Sequence, residues 1–332
     1  MIRTPARQSG AALLLAMLTL ALVASLASAA LWLQWRQVEI EIAERGRAQT
    51  QWLLTGAFDW TRLILAEDAR TSRSGPSSDH LGEPWAIPVQ ESKLSTFLSQ
   101  DQTWREGDPE VYLSGQITDA QSRLNLGSLM ADGQLNPVAS AQWQRLFERL
   151  DLPMPELELL LRRWPQAWTA ARNASRTDKT PSSDSPGVPL LPRRLEQLVW
   201  LGLSPATIER LRPCATVLPV ATPVNLNTAT VPVLQAVIPG LDAGTARQLM
   251  AKRSQRPWES LQAAAEALGP LGRQLDNNLH AVSSRYFEIR GRIRIDALVQ
   301  EELALVERDG LQVRMLWRLS LPPEKRHTPL LQ

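Results

Sequence analysis

The first long hydrophobic segment of the chain, Ala11–Leu33, contains no charged residue. As a helix that rises about 1.5 Å per residue, it would be about 35 Å long. That length is enough to cross a hydrocarbon core of about 30 Å. Arg3 and Arg7 precede the segment. Because the basic side of such a segment stays in the cytoplasm, the pattern predicts that residues 36–332 are exported.

Three processing routes fit this N-terminus. A secretory signal peptide would be cleaved after Ala27-Ser28-Ala29, although the apolar segment is longer than the usual core of about 7–15 residues. An uncleaved anchor would remain in the membrane. A prepilin-type leader ends in a glycine directly before an apolar helix, as Gly10 precedes Ala11 here. All three routes place the bulk of the protein outside the cytoplasm.

The helical pattern continues beyond the membrane segment. Hydrophobic residues recur among charged ones up to Leu65, and no proline occurs between Ala11 and Pro76. This predicts one long helix whose second half is amphipathic and needs a globular partner to cover its apolar stripe. The Ser, Gly, Pro and Asp residues between Thr71 and Gly82 are expected to end it.

Period-two alternation marks the C-terminal region as β-structure. Apolar and charged residues alternate over 287–296, and again over 313–319 after the turn sequence Asp309-Gly310. Earlier strand candidates fall within 111–118, whereas the patterns between about 126 and 280 are helical. The simplest architecture is a helical insertion between strands of one antiparallel sheet, and a separate helical domain is the alternative.

Local capping signals divide the helical middle. Asn136-Pro137 and Ser204-Pro205 each place a capping side chain directly before a proline, which is typical of a helix start. Gly202 is expected to end a helix that contains Leu195 and Leu198.

The segment Val224–Ala229 and the residues after it resemble a helix-hairpin-helix pattern. Asn227 or Thr228 would cap the first helix, and Pro239-Gly240 would form the hairpin. In DNA-binding examples, backbone amides of a glycine-rich hairpin and a helix N-terminus hold a phosphate. Asp242 stands where a second glycine is usual, and its carboxylate would repel phosphate. The pattern therefore favours a compact packing module over a DNA contact.

The charge balance also argues against a nucleic-acid partner. The formal net charge is +2, from 36 basic and 34 acidic residues. Arg3 and Arg7 are the only charged residues among the first ten, so the remaining chain has 34 of each sign. Proteins that coat nucleic acid usually keep a clear positive excess.

The sequence gives little support to a catalytic function. It contains no glycine-rich phosphate loop, no G-x-S-x-G and no HExxH. Cys214 is the only cysteine, so no intramolecular disulfide can form, and no base for a nucleophile is evident near it. Three histidines far apart in sequence argue against a zinc site. We expect Cys214 to be a buried structural thiol.

Four segments in this order resemble the K subunit of the type II secretion system, a family of minor pseudopilins also called general secretion pathway protein K. They are the Gln8–Gly10 leader with its apolar helix, Gly115–Leu126, Leu195–Leu203 and Val224–Ala229. The family motif rests on Asn125, Asn225, Asn227, Thr228 and Ala229. Each segment alone is weak, whereas the ordered combination covers nearly the whole chain.

The resemblance implies an α+β, pilin-like fold. A long N-terminal transmembrane helix would pack on a small antiparallel sheet, with a large inserted all-α domain of two modules similar to sterile-alpha-motif or helix-hairpin-helix units. The implied divisions are a prepilin leader at 1–10, the transmembrane part of the helix at 11–33, the first part of the pilin-like domain at 34–125, the insertion at 126–281 with modules at about 126–190 and 191–281, the C-terminal strands at 282–320 and a tail at 321–332.

The resemblance also implies a structural role. Prepilin peptidase would cleave after Gly10, and the new N-terminal residue, Ala11, would be methylated. The subunit would cap the pseudopilus tip with the I and J minor pseudopilins, contact the H subunit, and support export of folded proteins across the outer membrane. It would span the inner membrane once, with a cytoplasmic N-terminus and a periplasmic bulk.

The fifth residue after the implied cleavage site is Leu15. Most pilins carry a glutamate there, and a carboxylate in hydrocarbon is costly unless it is paired. Its usual partner is the N-terminal amine of an adjacent subunit. The K family typically lacks this glutamate, which suits a tip subunit because no further subunit is added above it.

Two positions depart from the family pattern, and the second of them leaves metal binding open. Ala11 stands where pilins most often have phenylalanine, and residues 161–168 contain no carboxylate where relatives often have an acidic stretch. Calcium occurs in some relatives and needs several oxygen ligands. The sequence shows no clear ligand cluster, since Asp276-Asn277-Asn278 is more typical of a polar turn. We therefore predict no cofactor.

Two other functions remain as alternatives. A membrane-anchored DNA receptor could use the helix-hairpin-helix unit, and its DNA binding would weaken steeply with salt. A minor pilin of a related type IV system would share the leader but not the helical insertion.

Overall fold

The structure, a computed structural model, describes residues 9–71, 78–94, 110–177, 189–295 and 298–322. The described residues form seven α-helices: α1 (Ser9–Thr71), α2 (Pro137–Arg149), α3 (Met154–Thr177), α4 (Pro205–Leu211), α5 (Val231–Val237), α6 (Ala243–Gln255) and α7 (Leu261–Leu268). The longer strands are β1 (Val89–Lys93), β2 (Val111–Asp119), β9 (Tyr286–Ile295), β10 (Leu298–Asp309) and β11 (Gln312–Leu321). The two-residue strands are β3 (Leu124–Asn125), β4 (Met130–Ala131), β5 (Gln134–Leu135), β6 (Ala215–Thr216), β7 (Val224–Asn225) and β8 (His280–Ala281).

Helix α1 is one uninterrupted helix of 63 residues, which confirms the predicted long helix. Among the described residues it is the one helix long and apolar enough to cross a membrane, and the apolar part is fully exposed. Its second half packs on the sheet through Thr50, Leu54, Phe58 and Leu65, which are buried. Their spacing of four and seven residues places them on one face of the helix. The predicted leader, residues 1–10, falls largely outside the described residues, although Ser9 and Gly10 begin α1.

The sheet has five antiparallel strands in the order β1-β2-β9-β10-β11. Strands β9, β10 and β11 form the meander predicted from the alternation. Phe287, Ile289 and Ile293 lie in the core beneath α1, and β11 is joined to β10 by a turn at Gly310, whose φ is +58°. The short edge strand β1 has no clear alternation and was not predicted.

Strand β2 pairs directly with β9, from Val111 opposite Ile295 to Asp119 opposite Phe287. Helices α2 to α7 all lie between these two neighbouring strands in the chain. The chain therefore leaves the sheet at Asp119 and returns at Tyr286, which agrees with a helical insertion between strands of one sheet.

The helical insertion has a core of its own. Trp143, Leu146 and Phe147 of α2 pack in it with Leu160 and Trp164 of α3. Two parallel pairings, β3 with β6 and β7 with β8, tie the start of the insertion to its later parts.

The predictions for Asn136, Ser204 and Gly202 as helix-terminal residues are confirmed. Asn136 accepts hydrogen bonds from the amides of Val138 and Ala139, and Ser204 accepts one from Thr207. Gly202 ends the 3-10 helix Leu195–Leu201 with a φ of +99°. A methyl group added there would lie 2.3 Å from Leu159, so glycine is required both for conformation and for space.

Candidate functional site: a buried polar junction

Asn225 joins the insertion to the rest of the protein. Its side chain is fully buried, and its amide nitrogen lies 2.9 Å from Asp119 Oδ2, 3.0 Å from Ser284 Oγ and 3.1 Å from the carbonyl oxygen of Asp79. Its side-chain oxygen accepts the amide of Asn227 at 2.9 Å. One motif residue therefore connects three segments that are far apart in sequence.

Asp119 is the centre of this junction. Its Oδ2 accepts hydrogen bonds from the hydroxyls of Thr228 (2.6 Å) and Ser284 (2.7 Å) as well as from Asn225, and its Oδ1 accepts the amide of Gln121 at 2.7 Å. Burial raises the pKa of Asp119 to about 6, although the bonds from Thr228 and Ser284 oppose that rise. The carboxylate holds the last residue of β2 against the insertion.

The loops around the junction contain three further motif residues, Asn125, Asn227 and Ala229. Asn125 accepts the amides of Gly127 and Leu218. Asn227 exchanges two hydrogen bonds with the backbone of Trp258, at 2.9 and 3.0 Å. The five motif residues are all buried, so they form structural connections.

Two predicted capping roles are wrong. Helix α5 begins at Val231, with Thr230 as the residue before it and no side-chain cap. Asn227 and Thr228 lie in the preceding turn, and their side chains bond to Trp258 and Asp119. These two side chains form buried hydrogen bonds with residues distant in sequence, which are stronger than the bonds of an exposed helix cap.

Arg253 of α6 holds the motif segment from the other side. Its guanidinium, which is 4% exposed, donates to the backbone carbonyls of Leu226 and of Ala229, the latter at 2.5 Å. Burial lowers the pKa of Arg253 to about 10, which leaves it charged at neutral pH. The segment Leu226–Ala229 is therefore fixed between Asp119 and α6.

At the N-terminus of α6, after the hairpin that follows α5, Asp242 caps two backbone amides. Asp242 Oδ1 accepts the amides of Gly244 (2.8 Å) and Thr245 (3.0 Å), and its Oδ2 accepts the Thr245 hydroxyl at 2.6 Å. The hydrogen bond from that hydroxyl lowers the pKa of Asp242. The groups that would hold a phosphate are thus occupied by a carboxylate of the chain itself.

We expect Asp242→Ala to open the first turn of α6 without creating a DNA-binding protein. The exchange rates of the Gly244 and Thr245 amides should rise, because each loses its hydrogen-bond acceptor. Hydrogen exchange followed by mass spectrometry measures this change. Salt-dependent binding of the variant to double-stranded DNA would contradict the prediction.

A second cluster lies where α1 ends. Carboxylate oxygens of Asp68, Asp79 and Glu83 all lie within 4.8 Å of one another. Arg308 of β10 reaches two of them, at 2.6 Å from Asp68 and 2.5 Å from Asp79, and its guanidinium also donates to the carbonyl of Ser284. Asp79 in turn accepts the Ser284 amide at 2.6 Å. The cluster thus fastens α1, the segment after it and the start of β9.

This cluster does not fit a calcium ion. Calcium takes six to eight oxygen ligands, whereas a guanidinium is bonded to two of the three carboxylates here. It is the single group of three potential ligands within the described ranges. The other candidate, Asp276, accepts the amide of Asn278 and forms the predicted polar turn.

The N-terminal candidates lie far from the junction. Ala11 and Leu15 are in the exposed apolar part of α1, and Gly10 precedes them in the same helix. Ala11 and Asp68 are 57 positions apart in the chain, which is about 85 Å along the helix. No sequence pattern identifies Asp119 as the centre of the junction, beyond its position at the end of a predicted strand.

Two family models match the insertion and the junction. Both are described as protein K of the type II secretion system (T2SS), and they match residues 122–220 and 224–283. Over these two ranges the chain is similar to protein K of the type II secretion system. The second matched range begins at Val224, so it includes Asn225, Asn227, Thr228 and Ala229.

Curated members of the protein K family match over most of their length. Protein K of Pseudomonas aeruginosa is 26% identical over 324 residues, which covers 94% of this chain and 92% of that one. Protein K of Klebsiella pneumoniae is 29% identical over 273 residues, or 77% and 78% of the two chains.

A solved structure shows the same fold. It is a chain in the crystal structure of the GspK–GspI–GspJ complex of the type 2 secretion system from enterotoxigenic Escherichia coli. The TM-score is 0.57 at 21% identity, and the match covers 84% of this chain and 99% of that chain. The expected mixed fold, with an N-terminal helix and an antiparallel sheet, is therefore confirmed.

Proposed function

We propose that this protein is a minor pseudopilin that caps the pseudopilus tip together with the I and J minor pseudopilins. The observation that carries the proposal is the similarity to protein K of the type II secretion system, combined with an exposed apolar helix on a sheet head. The similar chain of known structure was crystallised with GspI and GspJ, which supports these partners. In this role the protein supports pseudopilus assembly and export of folded proteins, and the H subunit is a further partner.

The N-terminus of α1 carries the processing part of the proposal. Prepilin peptidase cleaves after Gly10, and Ala11 becomes the methylated N-terminus. Leu15 places an apolar residue where most pilins have a glutamate, so this subunit does not pair with the amine of a neighbour. The single apolar helix supports an inner-membrane anchor with the head in the periplasm.

The helical insertion is proposed to consist of two modules similar to sterile-alpha-motif or helix-hairpin-helix units. The α5–α6 hairpin, with Gly240 at a φ of +80°, supports the second module. Its self-capped N-terminus supports a protein-packing role over nucleic-acid binding.

A non-catalytic role is part of the proposal. Cys214, the only thiol, is 3% exposed, and burial raises its pKa. A nucleophilic cysteine instead needs a lowered pKa and access to substrate.

The proposed partners are expected to bind the face of α1 that points away from the sheet. Trp52 and Leu63 are 78% and 67% exposed on that face. Exposed apolar side chains of this size mark interaction surfaces. We expect Trp52→Glu to weaken the complex with the cognate I and J pseudopilins by about tenfold or more, because it places a charge in an apolar contact.

Full-length proteins in detergent, mixed at known concentrations and separated by size, measure the affinity. Val138→Glu, a change of the same kind at a 51% exposed valine of α2, is the matched control. Failure of the unmodified protein to bind I and J would reject the proposed function. DNA binding that weakens steeply with salt would instead favour the receptor.

A further inference from the structure

The cluster at the end of α1 has more negative than positive charge. Arg308 forms ion pairs with Asp68 and Asp79, whereas the one basic side chain paired with Glu83 among the described residues is that of His80. Glu83 Oε2 accepts the His80 amide at 2.9 Å and the Trp85 indole N–H at 2.7 Å. With all three carboxylates ionised, two negative charges would be balanced by Arg308 and a third would not.

His80 does not supply the missing positive charge. Its Nδ1 accepts the backbone amide of Gly82 at 3.1 Å, so this nitrogen carries no proton and the ring is the neutral tautomer. Its Nε2 lies 4.0 Å from Glu83 Oε1, which is too long for a hydrogen bond. Burial also lowers the pKa of His80. Like-charged carboxylates at this spacing retain a proton between them.

We propose that the Asp68–Asp79–Glu83 cluster is a proton-operated latch, which fastens the segment 78–88 to α1 while Glu83 is protonated and loosens it as Glu83 ionises. The groups that face Glu83 are Asp68 from α1, Asp79 and His80 from its own segment, and Arg308 from β10 beyond the two aspartates. A proton on Glu83 removes one of three negative charges that lie within 4.8 Å of one another, and its loss restores their mutual repulsion.

The direction of the pH effect follows from the environment of Glu83. Burial, with the nearby charges of Asp68 and Asp79, raises its pKa to about 7, against hydrogen bonds from His80 and Trp85 that lower it. Burial likewise raises the pKa of Asp68. An acid whose pKa is raised in the folded state stabilises that state fully below its unfolded value near 4.5. The stabilisation is lost as the pH rises through about 7.

Loosening of this segment would also change an apolar groove beside α1. Trp85, Ile87 and Pro88 line that groove together with Phe58 and Trp60 of α1. Glu83 holds the indole of Trp85 through a hydrogen bond. The protonation state of one carboxyl is thereby linked to the shape of an apolar surface next to α1.

Hydrogen exchange of the Ala86 and Ile87 amides tests the latch in the full-length protein. After correction for intrinsic exchange, the opening constant of the wild-type protein should rise by up to about tenfold per pH unit between about 4.5 and 7 and level off above 7, because opening releases one proton only in that range. Glu83→Gln keeps an oxygen acceptor and is always uncharged, so its opening constant should stay flat from pH 5 to 7.

Glu67→Gln is the matched control, since Glu67 is an exposed residue of the same helix end. This variant should behave as wild type. Asp68→Asn removes one neighbouring charge and should move the transition to lower pH. A wild-type opening constant that does not change between pH 5 and 7 would overturn the proposal, and so would a Glu83→Gln variant with the wild-type slope. If Glu83→Gln does not fold, the shift of the pH transition in Asp68→Asn tests the proposal instead.

Discussion

Replacing Asp119 with asparagine is expected to lower the free energy of unfolding by about 2–4 kcal/mol at neutral pH. The carboxylate accepts hydrogen bonds from Thr228, Ser284, Asn225 and the amide of Gln121. An asparagine has one acceptor oxygen, and its NH₂ group would face donors inside a buried site. Urea unfolding of the full-length protein in detergent, at constant pH, measures the loss.

The decrease in the free energy of unfolding caused by Asp119→Asn should become smaller as the pH rises through about 6. The pKa of Asp119 is raised to about 6 in the folded protein, so its contribution is largest at acidic pH and declines as the group ionises. Asp59→Asn is the matched control, because Asp59 is an exposed residue that pairs with Arg62 on the surface of α1. That change should cost less than about 0.5 kcal/mol. Equal stability of Asp119→Asn and Asp59→Asn would show that Asp119 is not the centre of the junction.

A Gly10→Val chain is expected to keep its first ten residues and to stay out of the pseudopilus. This prediction rests on the proposed processing, in which the peptidase cleaves between Gly10 and Ala11. A branched side chain at the residue before the cleaved bond would block cleavage, so the effect on assembly should be complete. The mass and N-terminal residue of the protein, expressed with its cognate prepilin peptidase, give the result.

Gly56→Val is the matched control in the same helix. A Cβ at Gly56 would meet no atom within 4 Å, so the change should leave both folding and processing intact. A methylated Ala11 in the wild type and in Gly56→Val would support the pseudopilin. A wild-type chain that begins at Ala30 would instead indicate signal-peptidase cleavage, and an intact Met1 would indicate an uncleaved anchor.

Predictions based on local sequence were confirmed where neighbouring residues supply all the partners. The cap at Asn136 needs only the amides of Val138 and Ala139, which follow directly in the chain. The same holds for Ser204 and the first turn of α4. The prediction for Asn227 and Thr228 was wrong because their partners are distant, with Asp119 lying 109 residues before Thr228.

The Asp68–Asp79–Glu83 cluster could not be predicted from local sequence either, because its partners are also distant in the chain. Arg308 and Asp68 are 240 residues apart, and Glu83 lies between them in a segment with no regular periodicity. No spacing rule connects such residues, because their approach depends on how α1 crosses the sheet. Each of the three carboxylates looks like a surface residue when only its neighbours in the chain are considered.

The sequence by itself determined the long α1, the alternating strands of the meander, the helical middle and the ordered motifs of the protein K family. These features depend on hydrophobic period and on capping residues, which act over a few positions. Only the tertiary structure decided that Asp119 and Asn225 form one buried junction, that Asp242 caps the amides of Gly244 and Thr245, and that Arg308 joins two of three clustered carboxylates. Those arrangements depend on the burial of polar groups, since a group removed from water must find its partners wherever the fold brings them.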